Sequence, residues 1–474
     1  MTSIDALPDD VLLAVFNSYA SQIETRWDKP REENREKAWR SLVHVCRRWR
    51  RIVFGSPHHL DLRLVCSERT RTRDTLDVWP ALPLVIRTGG NYGTGNVDDI
   101  IAALERSDRV CKIFFANHPR SDFEVFFAEM QQPFPELTEL DLSSTGETAA
   151  VVPDSFLGGS APHLRFLAFG HFLYPGLPKL LLSTTHLVTL YLMDIPHSGY
   201  ISPGAMATTL AALTSLETLS LRFNSPESSP DLESRRLPPS KRSVLPVLTT
   251  FWFKGVAEYL EDLVACIDAP QLNSLGITFF SDIVFDTPQL VQFINRTPVS
   301  EALEKARIVF WEHEDDTEAK FLSQTESGYG KFEVKVLCRG PDRQISSLEQ
   351  LCTSCLPPLS MLQDLYIYGF VEDWTDSIES TLWLGLLHPF TAVKNLYLSE
   401  DFASLIAPAL KELVQGRMTT VLPALQDILL EELESSGPVR QGIGQFVAAR
   451  QSAGYPVAIS PWIDAEQDMV PVFL

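Results

Sequence analysis

Three places in the sequence combine residue types that could do chemistry. Leu84-Val85-Ile86-Arg87 runs into Gly89-Gly90-Asn91-Tyr92-Gly93-Thr94-Gly95 and then a helical pattern, the order of a strand, a phosphate cradle and a helix. The G-x-G-x-x-G spacing is missing, and so is the Lys-Ser/Thr pair that would meet phosphates and Mg²⁺, so the stretch reads as a connection. Cys352-Thr353-Ser354-Cys355 is a lone C-x-x-C. Zinc needs four ligands and Cys338 is the one further cysteine within 20 residues, while a redox pair would want a thioredoxin-like setting. Glu312-His313-Glu314-Asp315-Asp316 has cation-binding residue types but the composition of a solvated loop. No G-x-S-x-G elbow and no H-E-x-x-H occurs. The expectation is therefore a chain with no catalytic, cofactor-binding or metal residues, which is not an enzyme.

The elements that would position a binding surface are clearer. Leu-x-x-Leu-x-Leu recurs, with other aliphatics or Phe allowed, as Leu137-Leu140-Leu142, Leu164-Leu167-Phe169, Leu187-Leu190-Leu192, Leu216-Leu219-Leu221, Leu248-Phe251-Phe253 and Leu272-Leu275-Ile277. It returns as Leu362-Leu365-Ile367, Val393-Leu396-Leu398 and Leu425-Ile428-Leu430. The starts lie 27, 23, 29, 32 and 24 residues apart, then 90, then 31 and 32. Within the gap, Leu303-Ala306-Ile308 and Phe332 to Leu337 read as two weaker units at the same pitch. Val110-Ile113-Phe115 extends the series backward, and Pro456-Val457-Ala458-Ile459 closes it. Helical periodicity fills the intervals, for example at Val97 to Arg109, Ala205 to Leu213, Tyr259 to Ile267, Pro288 to Asn295 and Leu410 to Met418. One strand and one helix per 23 to 32 residues is the pattern of leucine-rich repeats. It predicts a parallel inner sheet with outer helices, each unit burying its apolar face against its neighbours. The position where such repeats place an Asn holds Thr145, Phe172, Ile195, Asn224, Val256 and Phe280, so the units should be irregular.

In such a strand the second and third aliphatics point inward, and the residue between them faces the concave wall. Successive units supply Asp141, Ala168, Tyr191, Ser220, Trp252, Gly276, Arg307, Tyr366, Tyr397 and Leu429 at that position. Aromatics favour strands in any case. Trp, Tyr and Arg are also the residues that dominate binding energy, and Tyr191, Trp252, Arg307, Tyr366 and Tyr397 are the candidates for holding a target protein.

Ahead of the repeats lie two apolar-periodic segments. Pro8 suits a first helical turn, Asp9 and Asp10 suit its positive end, and Val11, Leu12, Val15, Phe16 and Tyr19 follow on one face. Ala38, Leu42, Val45, Cys46, Trp49, Ile52 and Val53 form one stripe on a predicted helix of about four turns, closed by Ser56-Pro57. A polar insertion, about 21–37, separates the two. Periodicity alone also allows a cap on the following domain.

The residues Leu7, Pro8, Asp10, Val11, Leu12, Phe16, Leu42, Val45, Cys46 and Trp49 match a Leu-Pro-acidic-acidic-aliphatic-Leu start followed by Leu-x-x-Val-Cys-x-x-Trp, and so resemble an F-box. The insertion between the helices is longer than that family usually has. The large F-box class of mushroom-forming fungi shares a Pro-Leu-x-Leu strand, a helix like Ile100 to Arg109, and an Ala-Arg-Gln ending near a final Pro-Val strand, here Ala449-Arg450-Gln451 and Pro456-Val457, and nearly the whole chain resembles that class in layout. The resemblance implies an α/β protein with an F-box at 1–60 and an irregular leucine-rich-repeat solenoid at 61–474, broken by an exposed loop at about 222–246. It further implies a substrate-receptor subunit of an SCF-type ubiquitin ligase. The ten matching residues would dock the adaptor, and through it a cullin, while the repeats bind a target protein. An interaction scaffold without a ligase role is the other reading.

Bulk composition agrees with these expectations. The chain has 474 residues and 45% hydrophobic content, enough for a long solenoid. The first 80 residues hold 14 basic and 12 acidic side chains and the rest hold 26 and 49, so the body carries −23 of the net −21. Such a body disfavours nucleic acid. No apolar run is long enough to span a bilayer, the acidic start lacks a signal-peptide n-region, and seven scattered cysteines suit reduced thiols, so an intracellular place, cytoplasm or nucleus, is expected. Arg47, Arg48, Arg50 and Arg51 with Arg69, Arg71 and Arg73 read as the solvated side of a helix rather than a nuclear signal, and Ser225 and Ser229 as loop residues rather than phosphorylation sites.

Overall fold

A computed structural model describes residues 4, 7–24, 31–67, 72–89, 97–146, 148–226, 242–280, 287–299, 305–313, 316–324, 331–356, 359, 362–371, 374, 378–413, 420–431 and 438–462. The chain forms two compact units, Met1–Gly199 and Tyr200–Leu474. Both are mixed α/β, with parallel-dominated sheets and leucine-rich-repeat-like strand–helix units.

The first unit opens with three helices, α1 (Asp9–Glu24), α2 (Arg31–Val43) and α3 (Arg47–Gly55). Asp9 and Asp10 occupy the first turn of α1, where the helix dipole favours them. Then follow β1 (Leu64–Ser67), α4 (Thr72–Val78), β2 (Leu84–Thr88), α5 (Val97–Leu104), β3 (Val110–Pro119), α6 (Arg120–Glu129) and β4 (Glu139–Thr145). The unit continues with β5 (Ala150–Val151), β6 (Phe166–Gly170), β7 (Phe172–Leu173), α7 (Leu177–Ser183) and β8 (Thr189–Ile195). Its sheet runs β1-β2-β3-β4-β6-β8, parallel throughout, and β5 pairs with β7.

The second unit comprises α8 (Pro203–Leu210), β9 (Thr218–Phe223), β10 (Ser243–Val244), β11 (Thr250–Gly255), α9 (Ala257–Cys266), β12 (Ile267–Asp268), β13 (Ser274–Phe280) and α10 (Pro288–Asn295). Next come β14 (Lys305–His313), β15 (Asp316–Gln324), β16 (Lys331–Leu337) and α11 (Pro341–Gln350). The unit ends with β17 (Asp364–Val371), α12 (Ser380–Leu387), β18 (Asn395–Leu398), α13 (Glu400–Leu413), β19 (Asp427–Leu430), α14 (Pro438–Ser452) and β20 (Ala458–Pro461). Its main sheet runs β9-β11-β13-β16-β15-β14-β17-β18-β19-β20. Successive helices α8 to α10 and α11 to α14 pack side by side.

The repeat leucines are the core. Leu137, Leu140 and Leu142 are fully buried, the corresponding residues from Leu164 to Ile277 and from Leu362 to Leu398 are buried, and so is Ile428, while Leu303 lies outside the described residues. Several strands are entered in the same way. Thr250 and Thr249 amides both donate to Glu217 O, Ser274 and Asn273 to Thr249 O, and Asn395 and Lys394 to Gln363 O. Backbone satisfaction is thereby passed from unit to unit without an Asn ladder.

Four expectations need correction. The stripe from Ala38 to Val53 is two helices, because Cys46 adopts an extended backbone (φ −157°, ψ 170°) and its Sγ accepts from Trp49 N at 3.5 Å, starting α3 afresh. Arg31 to Lys37 of the polar insertion belong to α2. The stretches around Ile308 and Val334 are not successive repeats. They are the outer arms of an antiparallel β14-β15-β16 meander, inserted so that β16 lies beside β13 and β14 beside β17. Finally, α13 starts at Glu400 rather than Leu410 and continues through Pro408, because Phe402, Leu405, Ile406, Ala409, Leu410 and Leu413 bury one face.

Candidate functional site

Two surfaces gather the residues singled out above. In the N-terminal module, Leu12, Phe16 and Ala20 turn inward against α2 and α3, where Ala38, Leu42, Val43, Ile52 and Val53 are buried. The Phe16 ring meets the Trp49 indole at 4.6 Å between centroids. Arg48 donates to Asp9 Oδ1 at 2.6 Å and to Leu7 O at 2.6 Å, fixing the start of α1 beside the start of α3. The other face of α1 is open, with Val11 40%, Val15 48% and Tyr19 39% exposed at a spacing of four. Pro8, Asp10, Val45 and Cys46 are also exposed, while Leu7 and Trp49 are half-buried. Of the ten residues matching an F-box, Leu12, Phe16 and Leu42 therefore hold the module together and present nothing to a partner. Val15 and Tyr19 join the exposed set, and their i, i+4, i+8 spacing from Val11 was the available signal.

This module is welded to the first strands. Trp39 Nε1 donates to Arg63 O at 3.2 Å, and the Val65 amide donates to Glu36 Oε1 at 3.2 Å. Lys112 bridges Glu32 at 3.2 Å and Glu139 at 2.8 Å across a groove of about 400 Å³. Burial raises the Glu36 carboxyl. The same desolvation acts on Glu32, but its own backbone hydrogen bond and Lys112 outweigh it and hold that group low. The groove's charges thus neutralise one another.

The second surface is the outward face of the second unit's sheet. Strand register aligns Ser220, Trp252, Gly276, Glu333, Leu322, Arg307, Tyr366, Tyr397, Leu429 and Ser460 in one row. Tyr366 and Tyr397 stack at 4.0 Å and 11°, with Trp462 edge-on to both at 5.9 and 5.8 Å. The Arg307 guanidinium lies 5.8 Å from the Tyr366 ring centre. Burial and the Tyr397 neighbour push the Tyr366 phenol well above its usual range. Trp252 is separate from this group. Four strand steps divide it from Arg307, about 19 Å at the usual strand spacing. Its indole lies across Gly276, where any Cβ would collide with it, and reaches Lys331, whose Nζ is 5.1 Å from the ring centre. Tyr191 belongs to the first unit, edge-on to Phe166 at 5.7 Å. Ala168, Ser220 and Gly276 are buried rather than solvent-facing, and the Trp252 indole covers Gly276.

Sequence reasoning missed Lys331, Glu333 and Lys335 on β16, and Glu318 and Lys320 on β15. Glu333 sits 2.6 Å from Lys331, 3.5 Å from Lys335 and 3.7 Å from Lys320, and Glu318 lies 3.3 Å from Lys335 and 3.9 Å from Lys320. The signal was the strict alternation Lys331-Phe-Glu333-Val-Lys335-Val, which puts three charges on one face of a strand.

A hydroxyl–imidazole–carboxylate series also emerges. Thr88 Oγ1 is 2.6 Å from His118 Nε2, and His118 Nδ1 is 3.1 Å from Asp122. Thr88 is buried and the imidazole is ringed by Phe115, Phe123 and Phe126, so the series staples β2 to the start of α6 and leaves the hydroxyl closed to a substrate. Cys352 is buried in the π-helical turn after α11, and the side chain of Cys355 lies outside the described residues. So do Gly90 to Gly95, Glu314, Asp315, Ser229 and most of the loop at 222–246. Among the described residues no group of three or more His, Cys, Asp or Glu side chains could hold a metal, and no helix is long and apolar enough to cross a membrane.

No protein-family model matches the sequence. No curated protein matches it. Among solved structures, the leucine-rich repeat-containing protein LegL7 from Legionella pneumophila aligns over 81% of this chain and 97% of its own, at 13% identity and a TM-score of 0.27. The repeat character of this chain lies in its own parallel strands and buried leucines.

Proposed function

We propose that the chain is a non-catalytic substrate receptor of an SCF-type ubiquitin ligase, with the α1–α3 module docking the adaptor and the repeat sheets holding a target protein. One observation carries this reading. The module has completed its own core with Leu12, Phe16, Leu42 and Val53, yet still exposes the apolar row Val11, Val15 and Tyr19 next to Pro8, with Val45 exposed as well. A helical cap on the repeats has no use for an outward apolar row, whereas a partner interface does. Ubiquitin transfer would be catalysed by proximity, the bond chemistry belonging to other subunits.

The test is co-purification of adaptor and cullin with the full chain and with Val11→Glu/Val15→Glu. The parent should retain both and the double variant should lose both while melting at an unchanged temperature. Failure of the parent to retain the adaptor sinks the proposal. A repeat-based interaction scaffold without a ligase role is then the remaining reading, favoured by the aromatic and charged sheet face of the second unit.

A further inference from the structure

We infer that the outward face of β11, β13, β16, β15 and β14 binds an acidic polypeptide segment laid across the strands between Trp252 and Tyr366. This rests on the reading that the sheet face is where a target is held, and it supplies the chemistry of that target.

The chain's net charge is −21, yet this face reverses the sign. Register places Lys254, Lys305, Arg307, Lys320, Lys331 and Lys335 on it, against the acidic residues Asp316, Glu318, Glu333 and Asp364. Arg222 sits beside Lys254 at the next strand. A cationic patch inside an acidic surface focuses negative partners onto one spot and repels them elsewhere.

The ammonium groups are also held in place. Glu333 is buried beneath Lys320, Lys331 and Lys335, and Glu318 bridges Lys320 and Lys335. Lysines pinned in this way lose less rotamer freedom when a ligand arrives. They still face outward, with the Lys331 and Lys335 side chains 38% and 23% exposed. Trp252, held flat because Gly276 has no side chain, closes one end, and the Arg307–Tyr366–Tyr397 stack closes the other. The span of about 19 Å from Trp252 to Arg307 fits about six extended residues.

Interleaved carboxylates argue for peptide over nucleic acid. A phosphate backbone carries charge at every step and would meet Glu318 and Asp364 as well as the acidic body. A peptide can place its carboxylates opposite lysines and an apolar or aromatic residue on Trp252.

Fluorescence anisotropy on the full chain tests this with four labelled probes of about twelve units. They are an Asp/Glu-rich peptide with interspersed Tyr, the same peptide with Lys/Arg or with Gln/Asn in place of its acids, and oligothymidylate. The acidic peptide should bind at least about tenfold tighter than the other three, and should weaken several-fold between about 50 and about 200 mM salt. Lys331→Gln/Lys335→Gln should cost about tenfold or more. Lys254→Gln, which leaves the Glu333 network whole, should cost several-fold, so a folding defect in the double variant cannot decide the outcome. Equal binding of the Gln/Asn peptide, tighter binding of oligothymidylate, or no loss in Lys254→Gln would overturn the inference. Adaptor capture by Lys331→Gln/Lys335→Gln is read in parallel. Lost peptide binding with retained adaptor is expected, and lost adaptor in Val11→Glu/Val15→Glu with retained peptide keeps the two proposals apart.

Discussion

The Phe16 ring and the Trp49 indole meet at 4.6 Å and 54°, the contact through which α1 and α3 close on each other. Phe16 is 1% exposed, so removing it leaves a cavity as well as losing transfer energy. Phe16→Ala should therefore cost about 3 to 4 kcal/mol. Val15→Ala, one position earlier on the open face, should stay within about 0.5 kcal/mol. Denaturant unfolding of the two variants measures the contrast. Equal losses would mean that α1 is oriented differently.

Cys46 offers a footprint of the same module. It is exposed at the start of α3, whereas Cys66 is buried and its thiol is pushed up to about 12, desolvation leading and the Glu36 carboxylate adding to it. The thiolate is the species that reacts, so iodoacetamide near neutral pH should alkylate Cys46 and spare Cys66. If the adaptor covers this corner, its presence should slow Cys46 labelling by about tenfold. Peptide mass spectrometry reads both rates, and unprotected Cys46 would place the adaptor elsewhere.

Much of this architecture was legible in the sequence, and its failures have identifiable causes. The recurring leucines at 137–142 through 425–430 announce a parallel strand each, because an aliphatic triplet with that spacing can bury itself only against a copy of itself. The meander was illegible, since a strand such as Lys331 to Leu337 alternates with period two whether its neighbours run parallel or antiparallel. No Asn-Gly or Asp-Gly marks the β14–β15 connection. The partner of Gly276 on its β16 side is Glu333, more than fifty residues away, and only the fold sets that pairing. The break at Cys46 was hidden because cysteine is not a typical helix cap and the apolar stripe runs on through it.

Glu333 gives the basic face a pH signature. Burial alone would raise its carboxyl, but the Lys331 hydrogen bond and the charges of Lys320, Lys331 and Lys335 prevail and hold it below the ordinary value of 4.5. A carboxyl whose folded value is depressed contributes stability above its unfolded value and loses that contribution as pH falls through the folded one. Glu333→Gln should thus be destabilised by about 2 kcal/mol at pH 7, with the gap to the parent narrowing below about pH 4. Urea unfolding at the two pH values checks the sign. A gap that widens in acid would show that the lysines do not stabilise the carboxylate.

Arg450 closes the repeats at the other end. It is 1% exposed, and its guanidinium donates to Leu422 O at 3.3 Å, Pro423 O at 3.2 Å and Leu425 O at 3.4 Å. Those carbonyls belong to the turn that leads into β19, where Leu422 takes a left-handed backbone with φ 47°. The Phe446 and Tyr455 rings flank the guanidinium at 5.8 and 5.7 Å, so one side chain ties α14 to the preceding turn and to the approach of β20. Lysine has neither the planar fork nor the reach to meet three carbonyls at once. Arg450→Lys should cost about 2 kcal/mol and Arg450→Met about 3 kcal/mol, each leaving buried carbonyls without a donor. Limited proteolysis should then release the segment after about residue 420 faster than in the parent, while cleavage within the first unit is unchanged. Unaltered proteolysis in Arg450→Met would mean that leucine packing alone closes the last repeats.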